Sequence, residues 1–466
     1  MAKFDVPEGW TVQAFQFALD PTSEQAACVR RQLGGRRYAR NWAVRTLKED
    51  ITRYRETGEM TEKPSLAGLR KRWNQVKDTE CVDRETGQVW WAEISKEAFA
   101  DGIRAAVDGY WNWQRSRVGK RAGRRVGFPR FANKGRDRDR VTFTTGAIRI
   151  ADDRRHVTLP RIGCVRVHEN TRRLQRLIAK GRARILAVTV TRKGTRLIAA
   201  FRVLVQRPQR PDVIRPDSRV GVDVGVRVLA TVANSHGDVT ERIPNPRPLK
   251  TALKELRHLS WRKSRRSKGS RRYMETTREI SRLHRRVADI RGHHIHWLTT
   301  RLAKTHGEIV VESLDAAGML RQKGLTGARA RRRGLSDSAL GETRRQLAYK
   351  TRWYGSHLTL ADRWYPSSKT CHVCGHKQEI GWVEHWTCNP ADGGCGTSHQ
   401  RDDNAAINLA RYEKPVAGDS AVGPVGAAVK LGADRKTRPG RAGGCEARKG
   451  TGHSAGEQPR NGVRVA

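Results

Sequence analysis

RVGVDVGVRVLATVA, from Arg219 to Ala233, surrounds a single carboxylate, Asp223, with β-branched and small residues. Together with the NSHGDVTERI that follows, it reads as adjacent strands joined by a glycine-containing turn, the opening of an α/β sheet. A carboxylate in the middle of such a strand is unusual for packing alone, because an ionised group is costly to bury without a partner. Two further acids stand in comparable settings, Glu312 in IVVESL and Asp402 in RDDNAA. Taken singly, each reads as an ordinary surface turn residue. Taken together, carboxylates spread along the chain but gathered at strand ends can hold two divalent cations about 3.5–4 Å apart, clamping the attacking and leaving oxygens of a phosphodiester displacement. Mg²⁺ suits such a set, since it is a hard cation that takes oxygen ligands and keeps several waters.

The charge balance points to a polyanionic partner. The 466 residues carry 93 Lys and Arg against 47 Asp and Glu, a formal net charge of +46. A protein so charged repels itself unless something anionic is bound, and long nucleic acid is the expected partner, with strongly salt-dependent binding. A basic membrane-surface protein is the competing reading. It has no apolar run of membrane-spanning length to support it and no hydrophobic signal segment behind Met1. The expectation is a soluble cytoplasmic protein, prokaryotic and nucleoid-associated.

Four of the eight cysteines are scattered, whereas Cys371, Cys374, Cys388 and Cys395 lie close together. TCHVCGH supplies a C-x2-C pair and WTCNPADGGCG a C-x6-C pair, with glycines at both turns. Two such knuckles around a short strand-like stretch, Gly381 to Thr387, can close a tetrahedral site of four thiolates on one structural Zn²⁺. The second knuckle is wider than usual, so Asn389 to Asp392 must bulge out. His372, His376, His385 and His399 are near enough for one to replace a thiolate. Two disulfides or idle thiols are the alternative.

The rest of the chain falls into blocks. Thr11 to Leu19 reads as a strand, Thr22-x-x-Gln25 as a capping box, and the residues to about 60 as a basic helix. A second helix carries Ile94, Phe99, Ile103, Ala106, Tyr110 and Trp113 on one stripe, read as core in preference to a base-stacking platform. Residues 117–140 form a loop dense in Arg, Lys and Gly around GFPRF, and Arg124, Arg125 and Arg130 are its phosphate-contact candidates. Leu186 to Val203 reads as a hairpin turning at Lys193-Gly194. Pro208, Pro211 and Pro216 mark a linker. A long helical stretch, Lys250 to Thr305, opens on WRKSRRSKGSRRY and is read as a helical hairpin. Its Arg262, Lys263, Arg265 and Arg266, with Arg331 and Arg332 of ARARRRG, are further nucleic-acid candidates, unless these are merely solvated charge runs. The basic tail, residues 413–466, has no apolar period and reads as disordered.

The expected fold class is a multidomain α/β protein. An N-terminal β-barrel (1–20 and 141–210) is interrupted by a helical recognition domain (21–140). An RNase H-like nuclease domain (217–370 and 397–412) follows, with an inserted zinc ribbon (371–396).

In the order GFPRF, GVDVG, IVVESL with AGM behind it, YPSSKTCHVCG and RDDNAAINLA, residues 10–412 resemble the TnpB family of transposon-associated, RNA-guided nucleases. Compact type V CRISPR effectors look like descendants of that family, so the chain resembles both. The resemblance implies a RuvC-like site in which Asp223, Glu312 and Asp402 ligate two Mg²⁺. Asp402 is taken over Asp403 because the motif RD-x-NAA places the ligand directly after the arginine, and an acid just before the helix could also cap it. The chain departs from the family at Ser313, where an acid is usual, and at Asp315, where Asn is usual. The resemblance further implies a guide RNA that reads sequence by base pairing, a double-stranded DNA target cut beside a short flanking motif, and a monomer on RNA. A nuclease-inactive RNA-guided repressor and a DDE-type transposase are the rival readings. Loss of an acid would mark the first, whereas the second would lack the ribbon between the second and third acids.

Overall fold

In the computed structural model, which describes residues 5–58, 62–144, 146–207, 213–321, 328–381 and 383–413, the chain opens with β1 (Trp10–Asp20). Phe15, Phe17 and Leu19 alternate onto its buried face. The capping box forms as the sequence predicts. Thr22 Oγ1 accepts from the Gln25 amide at 3.2 Å and Gln25 Oε1 accepts from the Thr22 amide at 3.1 Å. α1 (Ser23–Thr57) runs from this cap to Gly58, whose φ of +72° supplies a left-handed C-cap. α2 (Leu66–Glu80) was not anticipated, its apolar pattern being reduced to Leu69 and Trp73 among many charges. α3 (Lys96–Arg117) buries Phe99, Ile103, Ala106 and Tyr110, so the aromatic stripe is core, with Phe99 5.1 Å from the Trp73 ring. Ile94 precedes the helix but is buried in the same core.

β2 (Arg140–Phe143), β3 (Arg149–Ile150), β4 (His156–Leu159) and β5 (Gly163–Val167) come next, then α4 (Arg172–Ala179). β6 (Ala183–Lys193) and β7 (Arg196–Gln206) form the expected hairpin, pairing Lys193 with Arg196 around Gly194. These strands and β1 make a seven-stranded antiparallel sheet in the order β2-β6-β7-β1-β5-β4-β3, sharing one core with α1, α2 and α3. Pairing ends at β2 and β3, and closure into a barrel is not among the described pairings.

β8 (Arg215–Asp223), β9 (Val228–Asn234) and β10 (Val239–Pro244) form an antiparallel meander. β8 begins four residues before Arg219, so Pro216 lies inside a strand and not in a linker. It is tolerated there because β9 pairs only with Val220 to Asp223, leaving that side of Pro216 without a partner strand. Pro208 and Pro211 lie outside the described residues. The expected helical hairpin is α5 (Pro248–Ser264) and α6 (Arg271–Thr305), closed by Leu256, Leu259, Leu283 and Val287. α6 leads into β11 (His306–Glu312), parallel to β8 with Val311 opposite Val222. After α7 (Ala316–Arg321), α8 (Ala328–Ser338) and α9 (Leu340–Tyr354), β12 (His357–Ala361) adds in parallel with Ala361 opposite Glu312. The five-stranded order is β10-β9-β8-β11-β12. β13 (His385–Thr387) and β14 (Ser398–Gln400) pair with each other, and α10 (Arg401–Ala410) is the last described element. No helix among the described residues is long and apolar enough to cross a membrane. From Lys414 on, the basic tail lies outside them.

Candidate functional site

The two-residue period of a strand decides where the acids point. Val220, Val222, Ile309 and Val311 pack with Leu298, Leu302 and Leu347 of α6 and α9. The intervening residues, Gly221 and Val310, face α10: Val310 packs against Leu409, and a Cβ on Gly221 would sit 2.0 Å from the Ala406 carbonyl oxygen and 2.3 Å from the Ala410 amide nitrogen. Glycine is therefore required where the helix crosses β8. Asp223 and Glu312 continue this second face at the carboxyl ends of neighbouring parallel strands, and Asp402 comes down onto it from the first turn of α10. An ideal Cβ on Gly225, just beyond β8, would lie 3.8 Å from Asp402 Oδ2.

The structure sets Glu312 and Asp402 near enough to Asp223 for both charges to act on it. Burial pushes the Asp223 carboxyl well above the usual carboxylate range, and the nearby charges of Glu312 and Asp402 push it further. Burial also raises Glu312, opposed by a hydrogen bond from the Ser367 hydroxyl, and raises Asp402, opposed mainly by Arg401. Arg401 lowers all three, making it the common counter-charge of the cluster. Sequence reading quoted Arg401 and Ser367 within motifs but gave them no role; only the fold brings them to the acids.

Asp402 differs in one respect from expectation. It does not cap the helix: Gln400 is the N-cap, its Oε1 accepting from the Asp403 amide at 2.8 Å, and Asp402 is a first-turn residue. Asp403 is drawn the other way, to Arg242 on β10 at 2.9 Å. Asp315, the departure from the family pattern, accepts from the Gly318 amide at 2.8 Å at the start of α7 and shares Arg363 at 3.8 Å, outside the cluster.

The four predicted cysteines also converge. Their sulfurs all lie within 4.8 Å of one another, with Cys371 to Cys395 at 3.6 Å and Cys374 to Cys388 at 3.7 Å. A disulfide needs about 2.05 Å, which excludes pairing. A tetrahedral ion with metal–sulfur bonds of about 2.3 Å has edges of about 3.8 Å, so the donor set fits a metal such as zinc. The Cys388 carbonyl accepts from the Gly396 amide at 3.0 Å, and Asn389 to Asp392 bulge as a single 3₁₀ turn, which is how the wide knuckle closes. His399 Nε2 lies 3.0 Å from Cys371 Sγ, beside the thiolate set. Asn404 and Asn408, one turn apart on α10, tie this knuckle to the carboxylates: both donate to the carbonyls of Ser367 and Thr370, and Asn404 Oδ1 accepts from the His372 amide at 3.0 Å.

The predicted nucleic-acid candidates divide. Arg124, Arg125, Arg130, Arg265 and Arg332 are exposed. Arg262, Lys263 and Arg266 are half-buried and engaged within the protein: Arg262 pairs with Glu279 at 3.5 Å, Lys263 sits 5.0 Å from the Tyr273 ring centre, and Arg266 donates to the Arg272 carbonyl. Arg331 is half-buried in α8. Sequence reading missed a larger cationic surface. A groove of about 1170 Å³ gathers Arg172, Arg173, Arg176, Lys180, Arg182 and Arg207 with Trp353 and Tyr354 of α9, and no acid among the described residues lines it. The Arg207 guanidinium stacks 4.4 Å from the Trp353 ring centre.

Comparison with known proteins gives three family profiles: "Probable transposase" (OrfB of IS605) over residues 200–323, "Cas12f1-like, TNB domain" over 341–409, and "Helix-turn-helix domain" (OrfB of IS605) over 11–56. The last covers β1 and one unbroken helix here, not two helices around a turn. The chain is 68% identical over 465 residues, all of both chains, to "Putative RNA-guided DNA endonuclease Rv2885c" of Mycobacterium tuberculosis. It is 28% identical to "Putative RNA-guided DNA endonuclease InsQ" of Escherichia coli, over 78% of this chain and 84% of that one. A Cas12f1–sgRNA–target DNA complex aligns at TM-score 0.40 and 14% identity, over 86% of this chain and 99% of that one. Since the full-length relative and the profiles agree with the order of motifs found along the chain, this protein belongs to the TnpB family, whose members include the OrfB proteins of IS605-type transposons.

Proposed function

We propose that the protein is an RNA-guided DNA endonuclease that cuts double-stranded DNA beside a short flanking motif by two-metal hydrolysis at Asp223, Glu312 and Asp402. The observation that carries this reading is the convergence of three carboxylates on one sheet face, each with its acidity suppressed by burial and with Arg401 as their common cation. Such a cluster invites divalent cations, and hard oxygen donors suit two Mg²⁺. Bound there, the ions would polarise the scissile phosphate and lower the pKa of a water nucleophile. The protein's own part is positional. Ser367 fixes one oxygen of Glu312, Gly221 lets α10 approach closely enough to deliver Asp402, and Arg401 offsets the gathered negative charge. With one carboxylate cluster, the two strands would be cut in turn.

The cysteine knuckle would hold one structural Zn²⁺ and, through Asn404 and Asn408, set the height of α10 over the sheet. The cationic groove suits the phosphates of a guide RNA, since six cations in one concavity repel each other unless a polyanion fills it. The seven-stranded sheet and its helices, residues 1–210, would grip RNA and the flanking motif, and residues 217–412 would cut. Loss of an acid would be the signature of the repressor reading, and all three are present. The test is cleavage of a plasmid carrying a randomised motif beside a guide-matched target, with co-purified RNA and Mg²⁺. Motif-dependent linearisation lost in Asp223→Ala is expected. Binding without cutting by the wild type would overturn the nuclease reading in favour of the repressor.

A further inference from the structure

Beyond β12, the chain spends a large aromatic surface on solvent. Trp364 is 80% exposed, although the backbone on either side of it is held on several sides. The Asp362 carboxylate accepts from the Trp364 amide at 2.8 Å and the Asp362 carbonyl from the Tyr365 amide at 3.1 Å. Tyr365 donates its hydroxyl to the Asn408 carbonyl at 3.1 Å and stacks edge-on against Tyr412 at 4.8 Å, and Tyr412 Oη in turn accepts from the Asp362 amide at 3.3 Å. A turn anchored in this way could have packed its indole inward and instead presents it to water. The Arg363 guanidinium lies 5.2 Å from its ring centre and is itself steadied by Asp315 at 3.8 Å.

The position matters. Ala361 stands opposite Glu312 in the sheet, and Ser367, three residues past Trp364, donates to the Glu312 carboxylate. Trp364 therefore lies just past the carboxyl end of β12, within about 15 Å of Glu312 by strand spacing and chain reach. A rigid exposed indole flanked by a cation is the combination on which unpaired bases stack without regard to sequence.

We propose that Trp364 is a positioning residue: a platform on which one base of the single-stranded DNA entering the carboxylate site stacks, with Arg363 on the adjoining phosphate, fixing the strand within a few nucleotides of the bond to be cut. This rests on the nuclease reading above. It requires no sequence recognition, because every base offers a π-face.

The test uses the full chain with its guide RNA. In an Asp223→Asn background, 2-aminopurine is scanned along the displaced strand of a pre-opened target, with Trp364 intact or changed to Ala or Phe. Quenching at one position, lost in Trp364→Ala and kept in Trp364→Phe, is expected. In the catalytically intact chain, Trp364→Ala should raise KM about 10-fold with kcat little changed. An abasic substitution at the stacked position should erase that difference. Equal cutting by wild type and Trp364→Ala would overturn the platform and leave the nuclease reading standing, and so would equal failure of the Ala and Phe variants with native circular dichroism. No cleavage by the wild type with guide and Mg²⁺ would bring down both readings.

Discussion

Ser367 donates its hydroxyl hydrogen to Oε1 of Glu312, and it does so from a position that is itself held by α10. The Ser367 carbonyl accepts from Nδ2 of Asn408 at 2.7 Å and from Nδ2 of Asn404 at 3.2 Å. One residue therefore joins the carboxylate on β11 to the helix that carries Asp402.

Ser367→Ala should leave Glu312 more basic. Burial already raises that carboxyl and the hydroxyl opposes the rise, so its removal moves the acid limb of the rate profile to higher pH. A hydrogen bond to a charged group is worth about 1.5–3 kcal/mol, so cleavage at neutral pH should fall by about 10-fold or more and recover in part as pH rises. The check is kcat against pH for both proteins.

Asp223→Asn should abolish cutting yet stabilise the metal-free protein. A carboxyl whose folded pKa stands above its unfolded value binds more protons when folded, so it costs stability as pH rises through that window. Removing its charge relieves Glu312 and Asp402, by about 0.5–2 kcal/mol. Thermal unfolding in chelator, compared at pH 5 and pH 8, should show the gain growing with pH.

Asn404→Ala and Asn408→Ala should couple. Both side chains are buried and share the same two carbonyls, so each loss costs about 1–3 kcal/mol and the double variant departs from the sum. A double-mutant cycle on chemical denaturation measures this. Cleavage should fall with it, because both residues also set the height of Asp402.

Metal analysis should find about one zinc per chain, lost in Cys371→Ser. Apart from the sulfurs, the described residues of the knuckle's own core are Ile380 and Trp386, a small core for a segment that closes around four thiols. Chelation should speed hydrogen exchange across residues 371–400 while the five-stranded sheet stays protected.

Lys350 carries a pH signature of its own. Its buried ammonium lies 2.7–3.1 Å from four oxygens, the His296 carbonyl, the Thr299 and Thr300 hydroxyls and Gln346 Oε1, with no carboxylate in salt-bridge contact among the described residues, and burial lowers its pKa to about 8. The unfolded chain binds the extra proton between about pH 8 and the ordinary lysine value, so this group makes stability rise with pH across that window. Lys350→Met should flatten that rise in the difference of melting temperatures between the two proteins.

Several of these features were legible in the sequence because they are local. The capping box at Thr22 and Gln25, the Lys193-Gly194 hairpin and the core stripe of α3 each depend on neighbours a few residues apart. The cysteine spacing likewise named its four sulfurs. α2 was hidden because its two buried residues are outnumbered by charges, and Pro216 misled because proline usually ends a strand, whereas here its open side lacks a partner.

The sequence by itself singled out the acids and thiols that the fold sets near one another, since metal chemistry admits few residue types in few orders. It could not determine their company. Arg401 as the shared counter-charge, Ser367 beside Glu312, the paired asparagines, the cationic groove and the exposed Trp364 join residues from distant parts of the chain. Only sheet register and the close approach of α10 at Gly221 bring those residues together, because charge coupling and hydrogen bonding act over ångströms in space whatever the separation along the chain.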